Sequence, residues 1–299
     1  MFDKSAIQGA YFALAAYLFW GVMPIYFKAI AHVSAVEILL QRVLWSVVLL
    51  VGILIYKKQL YQLRISRDKL GLLFLSALLL SINWLVFIYA VLNDNIVEAS
   101  LGYFINPLLS VFLGMIFLGE RLRQLQWLAI AIVFCGISFQ LLYFGAIPWI
   151  ALILAASFGF YGLIRKQLQL QSIAGLALET LMMAPFALAA LFWVYQSGEL
   201  KFGQVDISTD LLLIAAGLIT SFPLLCFAAA INRLSLTAAG MFQYIAPSVA
   251  LLIAVVMYQE PFGVDRLITF SCIWLALVIF TFETLHHHRK LTAQGKTLS

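Results

Sequence analysis

Charge is what this sequence has least of. Charged residues make up 10% of the 299 residues, apolar and aromatic ones 64%, and the mean hydropathy is +1.03. A soluble globular domain carries about a quarter charged residues and about half apolar ones, so the composition excludes a soluble globule. The apolar residues form runs of about 20, long enough to cross a bilayer as a helix, and the alternating pattern of a membrane barrel is missing. The sequence therefore predicts an all-α polytopic membrane protein.

Cysteine and histidine are also scarce. Cys135, Cys226 and Cys272 each lie within an apolar run and show no CxxC or CxxH spacing, so they are expected to be buried small residues. His32 falls in a predicted loop, and the other three histidines fall in the C-terminal tail. There is no HExxH, no GxSxG and no Walker-type loop. We expect no metal site, no cofactor and no enzyme activity.

Ten segments are predicted to span the membrane, as two inverted repeats of five helices. They cover residues 7–29, 36–56, 70–92, 97–118, 125–144, 147–165, 175–195, 210–231, 236–258 and 266–284. Acidic residues and histidine are absent from the middle of every predicted span, so a proton relay of the usual kind is not expected. Any coupling to an ion would have to use Glu37 or Glu179, near span ends.

Lysine and arginine are distributed unevenly between the two sides of this topology. The side with both termini and the even-numbered loops carries Lys4, Lys57, Lys58, Arg64, Arg67, Lys69, Arg121, Arg123, Arg165, Lys166, Arg233, Arg289, Lys290 and Lys296. The other side carries Lys28, Lys201 and Arg266, and Arg42 is the only cation predicted within a span. By the positive-inside rule both termini are cytoplasmic. This asymmetry explains the net charge of +5, and no nucleic-acid partner is expected.

The two halves of the chain repeat each other at one constant offset. The matched pairs are Ala99 with Ala239, Ile105 with Ile245, Pro107 with Pro247 and Glu120 with Glu260. Each copy has five spans, an odd number, so the second copy enters the membrane from the opposite side, as in secondary transporters. The predicted division is 1–145 for the first repeat, 146–288 for the second and 289–299 for a basic cytoplasmic tail.

Spans 4 and 9 carry faces of small residues and a proline each. Small residues let transmembrane backbones approach closely, so we expect spans 4 and 9 to pack near the pseudo-two-fold axis. The prolines remove a backbone donor and predict kinks that serve as hinges. The packing residues are Gly102, Ser110, Gly114, Ala250 and Ala254, and the hinge residues are Pro107 and Pro247.

Polar and aromatic residues at depth are the candidates for substrate contacts. The set is Arg42, Asn83, Trp84, Tyr103 and Asn106, with Gln243 and Tyr244 in the second copy. An arginine at the bilayer centre costs about 2.5–3.5 kcal/mol on insertion scales. Arg42 therefore snorkels to the interface, pairs with Glu37 or Glu98, or attracts an anionic group of a substrate. Asn83 either bonds a neighbouring helix or contacts the substrate. Ala246 replaces Asn106 in the second copy, so the polar side is expected in the first.

Several of these segments together carry a family resemblance. They are Trp20-Gly21 with Pro24, Gln41-Arg42-Val43-Leu44-Trp45-Ser46, Asn83-Trp84, the stretch from Glu98 to Pro107, Leu118-Gly119-Glu120-Arg121, and Phe242-Gln243-Tyr244-Ile245 with Pro247. The chain resembles the RarD branch of the EamA-containing drug/metabolite transporter superfamily. The resemblance extends over all ten spans and implies two inverted five-helix repeats around a central cavity.

The resemblance also implies an activity. It predicts an inner-membrane permease that moves a small amphipathic solute, such as an amino acid or a related metabolite, by alternating access. Spans 1, 3, 4, 6, 8 and 9 are expected to line the cavity, the partners are solute and membrane lipid, and a monomer is expected to suffice. Two alternatives stay open. One is a drug exporter acting on chloramphenicol-like compounds, and the other is a non-transporting membrane partner or lipid scramblase.

Overall fold

The fold consists of ten long apolar helices. The computed structural model describes residues 4–93, 95–259 and 263–296, so Glu260 of the predicted repeat lies outside the described residues. Span 1 is Lys4–Gly21 and Met23–Ala29, span 2 Ala35–Tyr56, span 3 Arg67–Leu92, span 4 Ile96–Leu118, span 5 Gln124–Phe144, span 6 Trp149–Leu168, span 7 Ser172–Gln196, span 8 Ile207–Ile231, span 9 Leu236–Phe242 and Ile245–Val256, and span 10 Val264–Lys296. A short 3-10 helix, Leu60–Leu63, follows span 2. The predicted ten-helix membrane fold is confirmed.

Local sequence signals set where several spans begin and end. Ser34 accepts a hydrogen bond from the backbone N–H of Glu37 at the start of span 2, and Asp206 accepts one from Thr209 at the start of span 8. These are side-chain caps for otherwise unpaired helical N–H groups. The Ser208 hydroxyl and the Thr209 N–H, both donating to Asp206, hold the pKa of that exposed carboxyl below its usual range.

Eight of the ten spans form a closed ring. Neighbours in contact run 1, 9, 4, 6, 3, 7, 2, 8 and back to 1. Each span has a counterpart in the other repeat: span 1 corresponds to span 6, span 2 to span 7, span 3 to span 8 and span 4 to span 9. When every span in the ring is replaced by its counterpart, the same pairs of neighbours result. Spans 5 and 10 pack on each other outside it and share a core cluster with spans 4 and 9. The contact pattern is therefore that of two inverted five-helix repeats. The boundaries at 145 and 288 stay predictions, and span 10 continues as a helix to Lys296.

Spans 1 and 9 are each interrupted, and the two interruptions meet. Span 1 breaks after Gly21, and span 9 breaks at Gln243 and Tyr244. A Cβ on Gly21 would lie 2.5 Å from the Val249 side chain and 3.1 Å from the Ala246 carbonyl oxygen, so only glycine fits this contact. Interrupted helices that meet inside a bundle are a feature of transporter substrate sites.

The predicted hinges differ in their placement. Pro247 lies in the first turn after the break of span 9. Pro107 lies within an uninterrupted helix, where its carbonyl oxygen would be 3.0 Å from a Cβ on Gly240 of span 9. Span 4 thus stays continuous through Pro107 and packs tightly against span 9 at this position. A hinge movement at either proline stays a prediction.

The residues predicted to form one packing face on span 4 contact two different neighbouring spans. Ser110 and Gly114 face the first half of span 9, where Gly240 and Thr237 lie. Gly102 instead packs against Ala151 and Leu154 of span 6. Ala250 and Ala254 belong to the second half of span 9, which packs mainly on span 1 and is half-buried at both positions.

Two expectations about individual residues are wrong. The sequence predicts Arg165 on a basic loop and Arg42 as the only cation within a span. Span 6 continues to Leu168, and Arg165 is 2% exposed within it. The sequence also predicts a buried Cys135, but this cysteine is exposed on span 5, whereas Cys226 is buried. Both errors have the same origin, because hydropathy marks an apolar run but does not say which helix face is covered.

Candidate functional site

Arg42 of span 2 reaches towards the middle of the membrane. Its Nε donates a 2.7 Å hydrogen bond to the hydroxyl of Thr220. Thr220 is buried near the middle of span 8, between Ile207 and Ile231. The guanidinium therefore points into the ring and does not snorkel to the nearer interface. Arg42 itself is half-buried.

A close contact between spans 2 and 8 sets this geometry. A Cβ on Gly217 would lie 2.5 Å from the backbone carbonyl carbon of Trp45 and 2.6 Å from its Cβ. Ser46 also donates a 3.2 Å hydrogen bond to the Gly217 carbonyl oxygen. Arg42 and Thr220 each lie about one turn from this contact, on either side of it. The absence of a side chain at Gly217 thus brings the arginine within reach of Thr220.

Aromatic residues of three spans lie near the guanidinium. The Arg42 Cζ lies 4.9 Å from the centroid of the Trp84 ring, a cation–π distance. Tyr26 and Tyr103 are close enough to Arg42 to interact with it electrostatically. Tyr103 is 49% exposed, although it lies about two turns inside span 4. The rings and the cation together form an amphipathic surface suited to a solute with an anionic and an apolar part.

Neither predicted carboxylate pairs with Arg42. Glu37 accepts the backbone N–H groups of Lys201 and Phe202, at 2.9 and 2.8 Å. Glu98 accepts the N–H of Ile150 at 2.8 Å. Within residues 4–93, 95–259 and 263–296, salt bridges are found at Arg123–Glu283 and Arg165–Glu179 and none includes Arg42. Arg42 thus carries a positive charge that the described side chains leave unneutralised.

Asn106 and Gln243 form a buried amide network across spans 4 and 9. Asn106 donates a 2.7 Å hydrogen bond to the Gln243 side-chain oxygen, and Gln243 donates a 3.1 Å bond to the Ser110 hydroxyl. The Asn106 side-chain oxygen is buried and has no hydrogen-bond partner among the described residues. The network therefore holds Gln243 at the break in span 9, and the side-chain oxygen of Asn106 remains free to accept a hydrogen bond.

Replacing Asn106 by leucine is expected to destabilise the protein. Gln243 would lose its donor inside the bundle, and an unsatisfied buried polar group costs about 1–3 kcal/mol. Asn93 provides the control, because its amide bonds the Tyr89 carbonyl at the exposed end of span 3. We expect Asn106→Leu to lower the free energy of unfolding in denaturant titrations, and Asn93→Leu to change it by less than about 0.5 kcal/mol. Equal effects of the two substitutions would contradict this role of the network.

Asn83 and Tyr244, the other two residues predicted to contact the substrate, form hydrogen bonds with neighbouring spans. Asn83 donates 3.0 Å hydrogen bonds to the Leu154 carbonyl and the Ser157 hydroxyl, so it joins span 3 to span 6. Tyr244 is fully buried in the cluster shared with spans 5 and 10, and it donates a 3.1 Å bond to the Phe104 carbonyl. Substrate contact by either residue stays a prediction. The structure brings the predicted residues Arg42, Trp84 and Tyr103 together in one group, and Asn106 and Gln243 in another.

An aromatic cluster fills the ring on one side of Arg42. We call the membrane face where the even-numbered spans end the terminal face. The cluster, hereafter the aromatic plug, consists of Tyr17, Trp20, Phe158, Tyr161 and Phe227. Phe227 contacts each of the others at centroid distances of 5.2–6.4 Å. Tyr161 and Phe227 lie in the terminal halves of spans 6 and 8, and Phe158 lies near the middle of span 6, so the plug extends from mid-depth towards the terminal face.

Sequence reasoning missed several residues of this site. Thr220 and Gly217 are ordinary residues of an apolar span, and their importance depends on the register of span 8 against span 2. Gly21 did carry a signal, because a glycine followed three residues later by Pro24 marks a helix boundary. The same pattern search would have found the break in span 1 but not the one at Gln243.

Ten apolar helices, eight of them in a closed ring, define a multi-pass membrane protein of the transporter class. The model of the EamA-like transporter family matches residues 7–142 and 146–282, one match on each set of five spans. The chain belongs to the EamA-like transporter family.

Relatives place the chain in one branch of that family. The protein RarD of Salmonella typhi is 48% identical over 290 residues, which are 96% of this chain and 99% of that protein. A Vibrio cholerae protein described as an uncharacterized transporter is 47% identical over 287 residues, 95% of either chain. The resemblance to the RarD branch is thereby confirmed.

A crystal structure of a distant protein shares the fold. It superposes with a TM-score of 0.72 at 17% sequence identity, covering 93% of this chain and 98% of that one. At this identity the likeness concerns the arrangement of helices alone.

Proposed function

We propose that this transporter-family protein moves a small amphipathic organic solute that carries an anionic group, such as an amino acid or a related metabolite. One observation supports this above others: the Arg42 guanidinium lies at mid-membrane depth, bonded to Thr220 and stacked on Trp84, without a carboxylate partner among the described residues. An arginine in hydrocarbon is costly, and such residues mark substrate and ion pathways. A solute carboxylate would supply the missing charge through charge-assisted hydrogen bonds.

The proposed mechanism is alternating access between the two faces. In the described conformation the aromatic plug extends from mid-depth towards the terminal face, while Tyr103 keeps 49% of its surface exposed. The solute would enter from the face opposite the termini, with its apolar part against Trp84 and Tyr103. Movement of spans 1 and 9 about their interruptions would then expose it to the terminal face. We further propose that the protein works as a monomer in the bacterial inner membrane with both termini cytoplasmic. The distribution of lysine and arginine supports the orientation of the termini.

Counterflow in liposomes tests this function directly. Purified protein is reconstituted, the vesicles are loaded with one unlabelled solute at a time, and entry of the same labelled solute is measured. The panel holds aromatic and aliphatic amino acids, other small carboxylates, and chloramphenicol as a neutral amphipathic compound. We expect counterflow of at least one carboxylate-bearing solute. Movement of chloramphenicol alone would favour the drug exporter, and fluorescent-lipid exchange between leaflets without solute movement would favour a scramblase.

A further inference from the structure

A second pair of charges lies inside the bundle, away from Arg42. Glu179 of span 7 is fully buried, and Arg165 of span 6 is 2% exposed. The Arg165 Nη1 lies 3.7 Å from the Glu179 Oε1. Glu179 is about two turns inside span 7 from Ser172, and Arg165 about one turn from the end of span 6. The pair therefore occupies the terminal half of the membrane.

The carboxylate is well bonded, whereas the guanidinium is not. Ser76 donates a 2.5 Å hydrogen bond to one Glu179 oxygen, and the Tyr161 hydroxyl donates to the other at 3.4 Å. The Arg165 Nε and Nη1 have no hydrogen-bond partner among the described residues. The guanidinium fits in a slot over Gly175, where a Cβ would lie 2.0 Å from Nη1. Among the described residues, Glu179 is the carboxylate that forms an ion pair with Arg165.

The residues around the Glu179–Arg165 pair contact two structures on the terminal side of the ring. These are the aromatic plug and the turn between spans 8 and 9. Tyr161 stacks on Phe227 of the aromatic plug, with centroids 6.1 Å apart and ring planes 18° apart. Lys166, next to Arg165 in sequence, donates hydrogen bonds to the carbonyls of Ile231, the last residue of span 8, and of Leu234, in the turn before span 9. A displacement of Arg165 would therefore act on both the plug and this turn.

The groups that face Glu179 are few. Arg165 and Tyr161 of span 6 are the titratable side chains, and Ser76 of span 3 is a neutral donor. Spans 2 and 8 and the Leu60–Leu63 helix also pack on span 7, and from their described residues no titratable side chain acts on Glu179. One proton on this carboxylate therefore changes the charge balance of the whole cluster.

We propose that Glu179 is a proton-binding site and that its protonation opens the terminal side of the ring. A proton from water adds to the carboxylate and neutralises it, and its removal restores the pair. The neutral acid leaves Arg165 as an uncompensated buried charge, which strongly favours its movement towards water. That movement pulls the end of span 6 and loosens the contact of Tyr161 with Phe227. Coupling of the proton to solute movement rests on the proposed transport function; the proton site does not.

Hydrogen–deuterium exchange tests the site without a substrate. Exchange is followed in residues 158–168 and 172–182 at pH 8 and pH 5, with correction for the intrinsic pH dependence. We expect slow exchange of the wild-type protein at pH 8 and at least about tenfold faster exchange at pH 5. Glu179→Gln is expected to exchange fast at both values. Glu283→Gln, which breaks the more exposed pair with Arg123, should behave as the wild type.

Three results would overturn the proposal. They are slow exchange of Glu179→Gln at pH 8, a pH response that survives in that variant, and the absence of any pH response in the wild type. If Glu179→Gln does not fold, Ser76→Ala replaces it. Loss of one donor to the charged carboxylate should move the midpoint of the pH response upward by about one unit, and an unchanged midpoint would count against the site. A pH response in a protein that moves no panel solute would refute the transport function and leave the proton site intact.

Discussion

Gly217→Ala is expected to destabilise the protein by about 3 kcal/mol, the upper end of the cost of overpacking a buried contact. The added methyl group would meet the backbone of Trp45 at 2.5 Å, and a backbone cannot rotate away as a side chain can. Spans 2 and 8 would have to separate, so the bond from Ser46 to the Gly217 carbonyl would be lost. The Arg42–Thr220 bond, about one turn away, would lengthen with it.

Gly52→Ala is the matched control for this substitution. Gly52 lies on the same span 2, and a Cβ there would meet nothing within 4 Å. Alanine should stabilise that helix position by about 0.5–1 kcal/mol relative to glycine. Both variants are compared with the wild type by denaturant unfolding in the same detergent. If Gly217→Ala were as stable as Gly52→Ala, the close approach of spans 2 and 8 would be incorrect.

The helices were predictable from the sequence, and the long-range contacts were not. Apolar runs of membrane length fixed the number of spans, and the offset between Pro107 and Pro247 revealed the repeat. The pairing of Glu37 and Glu98 with backbone N–H groups was not visible, because their partners Lys201 and Ile150 are distant in sequence. Sequence reasoning therefore left three options for Arg42. In the structure its guanidinium bonds Thr220 and pairs with neither glutamate, and attraction of an anionic substrate group stays a prediction.

Arg165 shows why the remaining features could not be predicted. It ends an apolar run and is followed by Lys166, a pattern typical of a loop at the membrane surface. Its burial depends on Gly175 and Glu179, which lie one turn apart on span 7 and together form the slot for its guanidinium. Such a slot exists only after spans 6 and 7 have packed, so neither hydropathy nor spacing reveals it.

Arg42→Gln is expected to lower solute transport by about 10- to 150-fold. The estimate follows from the loss of charge-assisted hydrogen bonds worth about 1.5–3 kcal/mol, at 1.4 kcal/mol for each factor of ten. Arg42→Lys keeps the charge but lacks the planar group that stacks on Trp84 and the Nε–H that bonds Thr220, so it should be intermediate. Arg64→Gln, at an exposed loop arginine, is the control and should transport as the wild type.

The central claim is tested most directly by a comparison of counterflow between the wild type and Arg42→Gln. One solute is used, in parallel liposomes that hold equal amounts of folded protein. The solute is the carboxylate-bearing member of the panel that the wild type moves fastest. We predict robust counterflow for the wild type and for Arg64→Gln, and at least a tenfold lower initial rate for Arg42→Gln. An equal rate for Arg42→Gln, or a wild type that moves no solute of the panel, would contradict the account.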